Sequence, residues 1–276
     1  MAKPKTAPGG PLFANWRQNI IYIGFVAIFL VFALTLNDKG FLNPNNLLNI
    51  VRQTAMIAVM AIAMTFVLSA GEIDLSVGAV AGLATVTVAM AIDFAGPFGG
   101  VAAGIATGLA VGMFNGWLTT RIGIPSFLTT LAMMGIAKGV AMWISDTAAV
   151  PILSPSYSWV FGGGSVGPIP VLLFWIAALG GVGHIVLRRS GFGRRVLATG
   201  GGETAARYSG INTASIKMKV LVLSSCAAAL ADKAEQHRPS RNANPAWVRG
   251  LRRWFMVRSL SRGGVPGRPY LLLARI

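Results

Sequence analysis

The chain has 276 residues, of which 54% are apolar and only 12% charged, and its formal net charge is +16. A water-soluble domain carries about 25% charged residues, so this composition cannot cover a hydrated surface and excludes an ordinary globular enzyme. The charge alone would suit nucleic acid, but it is unevenly spread: 14 Lys/Arg face 6 Asp/Glu up to Ala231, and 10 face 2 in the last 45 residues.

Residues 1–18 (MAKPKTAPGGPLFANWRQ) are basic and rich in Pro and Gly, and are read as a cytoplasmic N-terminal segment. The apolar run that follows is long for the core of a signal peptide and has others behind it, so an uncleaved first span is expected. Residues 19–36 and 53–71 hold no charged side chain, and between Leu75 and Arg121 the only charge is Asp93. Helices need about 20 such residues to cross a hydrocarbon core about 30 Å thick. Buried helices of a soluble protein would instead show polar stripes every three or four positions. The expected fold is therefore all-α, a polytopic bundle with spans near 19–36, 48–70, 74–95, 98–118, 125–144 and 168–187. A seventh span opens at about 216, and 19–231 forms one membrane domain. The breaker-rich stretch NDKGFLNPNN (37–46) is a loop. Residues 145–170, with four prolines and a Gly triplet, form a second, long enough to lie on the membrane or to re-enter it.

Lys and Arg in short loops set orientation. Lys3, Lys5 and Arg17 precede the first span, and Arg188, Arg189, Arg194, Arg195, Arg207, Lys217 and Lys219 follow the sixth. Six crossings return the chain to its starting side, so both clusters are cytoplasmic and the parity agrees with the charges. Glu72 and Asp74 then form a tight cytoplasmic link between the second and third spans, or a piece that dips into the membrane.

Gly100, Gly104, Gly108, Gly112 and Gly116 recur every four residues. On a helix they make a smooth face for close approach by another helix, within one subunit or between two. The only cysteine, Cys226, rules out a disulfide framework, and His184 and His237 show no metal-ligand spacing. There is no GxxxxGK[ST] phosphate cradle and no credible nucleophile–base set, so neither enzymatic chemistry nor a bound cofactor is expected.

Two stretches stand out. In Ser-Ala-Gly-Glu-Ile-Asp-Leu-Ser-Val-Gly (69–78), two carboxylates sit between apolar helices. Asp74 or Ser76 would cap the third span, since such side chains accept bonds from free N–H groups at a helix start; the alternative is a carboxylate facing a transport path. The second stretch, 188–215, is basic at first and helix-compatible over 203–208, where Glu203 and Arg207 would pair across a turn. Its small residues Ala205 and Ala206 leave room for close contact, which suits a docking knob for a cytoplasmic partner. Asn115, Thr119, Ser126, Thr129 and Thr130 are possible path-lining groups by composition, and equally helix-packing or capping groups.

These residues resemble a known family. AVMAIAMTFVLSAGEIDLSVGAVAGLATV (58–86) is similar to the marker region of the inner-membrane permease subunits of bacterial ABC sugar importers of the ribose/xylose/galactose type. GMFNGWLTTRIGIPSFLTTLAMMGIAKGV (112–140) resembles the family's GxxNGxLxxxxxIPxFxxTLxxMxIxxG segment, and GFGRRVLATGGGETAARYSGI (191–211) its cytoplasmic coupling segment. In the marker, Gly71, Asp74, Ser76 and Gly78 match. In the coupling segment, Gly193, Arg194, Ala198, Gly200, Gly201, Ala205, Ala206, Arg207, Ser209 and Gly210 match. Gly202 stands where the family has Asn, Glu72 is an added acid in the marker, and Glu203 has no assigned role. The resemblance covers about residues 15–231. It implies import of a monosaccharide by two permease subunits, expected to be identical, with a periplasmic sugar-binding protein delivering substrate and a cytoplasmic ATPase, not this chain, binding ATP. Membrane lipid is a further partner, and nucleic acid is not. A non-transporting membrane scaffold is the rival reading.

From 232 the resemblance stops and an Arg- and Pro-rich stretch begins. It reads as out-of-frame sequence on a truncated or frameshifted permease, the alternative being a basic tail for anionic lipid. Either way the seventh span is expected to stop after about 16 residues, short of a crossing.

Overall fold

The computed structural model describes residues 16–148, 150–152 and 154–231. The readings of the N-terminal 15 residues and of the stretch 232–276 fall outside them. The described elements are α1 (Trp16–Thr35), α2 (Pro44–Ser69), α3 (Val77–Trp117), α4 (Ser126–Ile144), α5 (Pro155–Phe161), α6 (Val171–Arg189), α7 (Gly191–Gly201), α8 (Glu203–Tyr208) and α9 (Thr213–Leu230). A two-residue hairpin, β1 (Ser165–Val166) with β2 (Ile169–Pro170), interrupts the long loop before α6. The bundle is all-α in its spanning part. Among the described residues, five helices, α2, α3 with its continuation to Ile122, α4, α6 and α9, are long and apolar enough to cross a membrane, and α1 carries a shorter apolar stretch, Asn19–Thr35.

The third and fourth predicted spans are the two limbs of α3. At Gly96 the backbone takes φ 67° and ψ −172°, a left-handed φ that glycine reaches without a Cβ penalty. Pro97 then opens the second limb, where its missing N–H costs nothing. The limbs lie antiparallel: the Thr87 and Thr107 hydroxyls are 2.9 Å apart, and Asn115 Nδ2 donates to Ser76 Oγ at 3.2 Å.

The seventh span is longer than expected. Asn212 caps α9 by accepting from the Ser215 N–H at 3.0 Å, so the helix starts at Thr213 and runs 18 residues to Leu230. The reading of 16 residues placed its start on the apolar run and overlooked the capping Asn. One side of α9 joins Phe66 and Val67 of α2, Ala70 just past its end, and Val196 of α7 through Ile216, Val220 and Leu221. Further along, Ala228 meets Val80, Leu83, Val111, Met133 and Ala137 from α3 and α4.

The five glycines of the second α3 limb serve two neighbours. A Cβ at Gly100 would lie 2.5 Å from Ile92 Cγ1, and one at Gly104 2.9 Å from Val88 Cγ2, both on the first limb. A Cβ at Gly108 would lie 2.8 Å from Cys226 Cα, and one at Gly112 2.6 Å from Val222 Cα; one at Gly116 would strike Met218 Sδ. Rows of i, i+4 residues are inclined to a helix axis. The row therefore winds from the first limb to α9, and both partners lie within the chain.

Two local expectations are corrected. The stretch 188–215, read as a loop with one short helix, holds both α7 and α8. Ser190 caps α7 by accepting from the Gly193 N–H at 3.0 Å while donating to the Val186 carbonyl at 2.6 Å, and this offsets the low helix propensity of the glycines. The loop 145–170 carries α5, whose Tyr157 is buried against Val88.

Candidate functional site

The α2–α3 loop and the α7–α8 segment meet at one end of the bundle. Helix α2 ends as Gly71 takes φ +79°, and the Glu72 N–H returns to the Val67 carbonyl at 3.1 Å. The loop beyond is held by α4: Ile73 N–H donates to Ser126 Oγ at 3.1 Å, and Leu75 N–H to Thr130 Oγ1 at 3.0 Å. Thr130 passes its own proton to the Ser126 carbonyl at 2.8 Å. Its hydroxyl thus satisfies two backbone groups.

Asp74 is buried at 1% exposure. Its Oδ1 accepts from the Ser76 N–H at 2.9 Å and from Ser76 Oγ at 2.6 Å. Ser76 occupies the N-cap position of α3 but makes no side-chain cap bond. Expected capping by Ser76 is therefore corrected: its hydroxyl proton goes to Asp74, and its oxygen accepts from Asn115. Asp74 closes a turn one residue before the helix instead. Asp74 Oδ2 and Asn115 Oδ1 are buried without a hydrogen-bond partner.

Of the possible path-lining residues, Asn115, Ser126, Thr129 and Thr130 are buried. Thr129 donates to the Ser126 carbonyl at 2.9 Å and lies 3.1 Å from Thr119 Oγ1. Thr119 also borders a cavity of about 460 Å³, shared with Glu203, Arg207, Thr213 and Lys217.

Lys217, in the first turns of α9, joins the two segments. Its Nζ lies 2.7 Å from Glu72 Oε1 and 2.8 Å from Glu203 Oε2. Thr213 Oγ1 also donates to Glu203, at 3.2 Å. The hydrogen bond from Lys217 is the main reason the Glu203 carboxyl is held below its ordinary value. The expected Glu203–Arg207 pair is not made, because Glu203 turns to α9 and Arg207 forms no ion pair among the described residues. A backbone seat reinforces the junction: Gly200 Cα lies 3.4 Å from where a Gly71 Cβ would be, and a Cβ on Gly200 would run into the Ser69 carbonyl.

The coupling-segment residues divide by face. Gly193 is buried at the α6–α7 elbow, where a Cβ would strike the Val186 and Leu187 carbonyls. Ala206 is buried at 4% exposure and packs inward, so of the two alanines only Ala205 lies on the open side. Arg194, Ala198, Gly201, Arg207 and Ser209 are also exposed, and Tyr208 reaches 89%. Gly210, at φ +79°, closes α8. Gly202 has φ 174°, extended backbone open to any residue, so the turn there does not depend on glycine.

Residues 46–232 match a family model described as branched-chain amino acid transport system / permease component. The chain belongs to this family. Its relatives include the ribose import permease protein RbsC of Bacillus subtilis, 37% identical over 210 residues (75% of this chain, 65% of the relative). Others are the L-arabinose permease proteins AraH of Azospirillum brasilense, 34% identical over 229 residues (80% and 64%), and of Escherichia coli, 33% over 218 residues (78% and 65%). The chain spans just under two thirds of the length of these relatives. No solved structure matches it.

In this permease family member, sequence reasoning missed the Lys217 junction. Lys217 counted only as loop charge, Glu72 as an added acid and Glu203 as unassigned. The available signal was physical: a carboxylate between two apolar helices requires a partner, and Lys217 is the cation placed early in the next unexplained helix.

Proposed function

We propose that the chain is the membrane-spanning permease subunit of an ATP-driven importer for a monosaccharide of the ribose or arabinose class. The names of the relatives support the substrate class. The observation that carries the mechanism is the α7–α8 segment, which presents Arg207 and Tyr208 outward while tied to the α2–α3 loop through Lys217. A cytoplasmic ATPase closes on α8 and supplies the work. A second copy completes the path, and a periplasmic sugar-binding protein delivers the substrate. On this reading the chain sits in a bacterial inner membrane with its N-terminus and α8 on the cytoplasmic side, an orientation that the arginine distribution supports. Transport needs the sugar to bind the outward and inward states with different affinity; the permease supplies the two states and the ATPase the bias between them.

The test is uptake of labelled monosaccharides into vesicles containing the chain with the products of its neighbouring genes. Saturable, ATP-dependent uptake of one pentose is expected, and flat uptake of every sugar overturns the reading. Co-purification of the ATPase is expected to fail when Arg207 and Gly201 are changed together.

A further inference from the structure

We propose that Lys217 is a positioning residue that pins the α2–α3 loop to α8, so that a push on α8 reaches α4 through that loop. The inference rests on the importer reading for the source of the push, while the pin itself is a matter of geometry. One ammonium group donates to Glu72 at 2.7 Å and to Glu203 at 2.8 Å. The side chains of Lys217 and Glu72 are 18% and 8% exposed, whereas Glu203 is 44% exposed. The inner arm is therefore shielded and the outer arm wet. Charge-assisted bonds of this kind are short and strong, and removing the lysine would leave the Glu72 carboxylate buried and unpaired.

The connection continues on both sides. On one, Glu203 is the first residue of α8, and Gly200 rests on the end of α2. On the other, the residues following Glu72 are held by the hydroxyls of Ser126 and Thr130, in the first two turns of α4. Displacement of α8 thus has a continuous polar route, through Glu203, Lys217, Glu72 and the loop backbone, to the start of a spanning helix. Glu72 stands where the resembled motif carries glycine, so the inner arm belongs to this chain's own sequence.

The experiment has two arms. In the first, the full chain alone in lipid nanodiscs is followed by amide hydrogen exchange. Lys217→Met is expected to speed exchange about tenfold in both 71–76 and 203–208, the scale set by losing a charged hydrogen bond. Lys217→Arg is expected to keep both segments protected, and Glu203→Gln to release 203–208 alone. In the second arm, the chain is reconstituted with its ATPase, and sugar moved per ATP hydrolysed is measured. Lys217→Met is expected to lower that ratio at least fivefold with ATP hydrolysis continuing, an estimate on the same scale. Should Lys217→Met not fold, Glu72→Gln, which keeps the outer pair, is expected to release 71–76 and lower the ratio. Release of only one segment by Lys217→Met, or a wild-type ratio in a transporting complex, overturns the pin. Failure of the wild-type chain to transport at all counts against the importer reading, and the exchange arm still decides the pin.

Discussion

The backbone-to-backbone approach of α9 to the second limb of α3 is testable by adding two methyl groups. In Gly108→Ala/Gly112→Ala, the new Cβ atoms would lie 2.8 Å from Cys226 Cα and 2.6 Å from Val222 Cα, both on the backbone of α9. Carbon atoms prefer separations of about 3.5–4.0 Å, so α9 must retreat by roughly 1 Å. Overpacking of this kind costs about 1–3 kcal/mol per site, and one displacement relieves both clashes, so the costs are less than additive. Each exchange also gains up to about 1 kcal/mol of helix propensity. The net expectation is a loss of about 1–3 kcal/mol for the pair. Gly82→Ala/Gly181→Ala is the control, because neither added Cβ meets an atom within 4 Å; it is expected to be neutral or stabilising by propensity alone. Equilibrium unfolding in mixed micelles, followed by near-ultraviolet circular dichroism, compares the two pairs. If the 108/112 pair raises the midpoint as the control pair does, α9 does not pack backbone-to-backbone on the second limb of α3.

Thr130→Val removes a hydroxyl that accepts from Leu75 N–H and donates to the Ser126 carbonyl, at nearly constant volume. It is expected to cost about 1–3 kcal/mol by leaving a part-buried N–H unpaired, measured by the same unfolding assay. Arg207→Ala/Tyr208→Ala changes two exposed side chains, so the unfolding free energy should move by no more than about 0.5 kcal/mol, while affinity for the ATPase in a pull-down titration falls about tenfold. For Glu203, whose folded pKa is depressed, the stabilising contribution is full above the unfolded value of 4.5 and is lost as pH falls through the lower folded value. The stability gap between wild type and Glu203→Gln should therefore close on acidification below 4.5; a gap that widened there would contradict the Lys217 contact.

Much of the bundle was legible because a bilayer imposes a length. Predominantly apolar runs near 20 residues located α2, both limbs of α3, α4 and α6 to within a few residues. Breakers placed the loop at 37–46, and the ends of the third and fourth predicted spans left the turn at 96–97. What the length criterion missed were elements outside the hydrocarbon: α7, built from GFGRRVLATGG, has no long apolar run and carries four glycines in its eleven residues, each unfavourable in a helix. Its existence depends on the Ser190 cap and on Val196 entering the core beside Phe66 and Leu221. Tertiary burial outweighed propensity there, and a single sequence does not show which neighbour a short amphipathic segment will find.

The site was legible by residue type and not by pairing. Asp74, Ser76, Asn115 and Thr130 were singled out separately, as caps or as path-lining groups, yet their bonds form one support beneath the α2–α3 loop. The same limitation gave Glu203 the wrong partner. Arg207 lies one turn away on α8 and Lys217 on the next helix, and spacing along a helix favours the former. What decides is that Thr213 and Lys217 on α9 offer Glu203 two donors on a rigid span, whereas Arg207 stands exposed on the six-residue α8. Local rules fail where a short helix rests on a long one, and at such a junction the long helix selects the contacts. That selection leaves Arg207 and Tyr208 facing outward, so the bond that corrects the expected pair also frees the proposed docking surface.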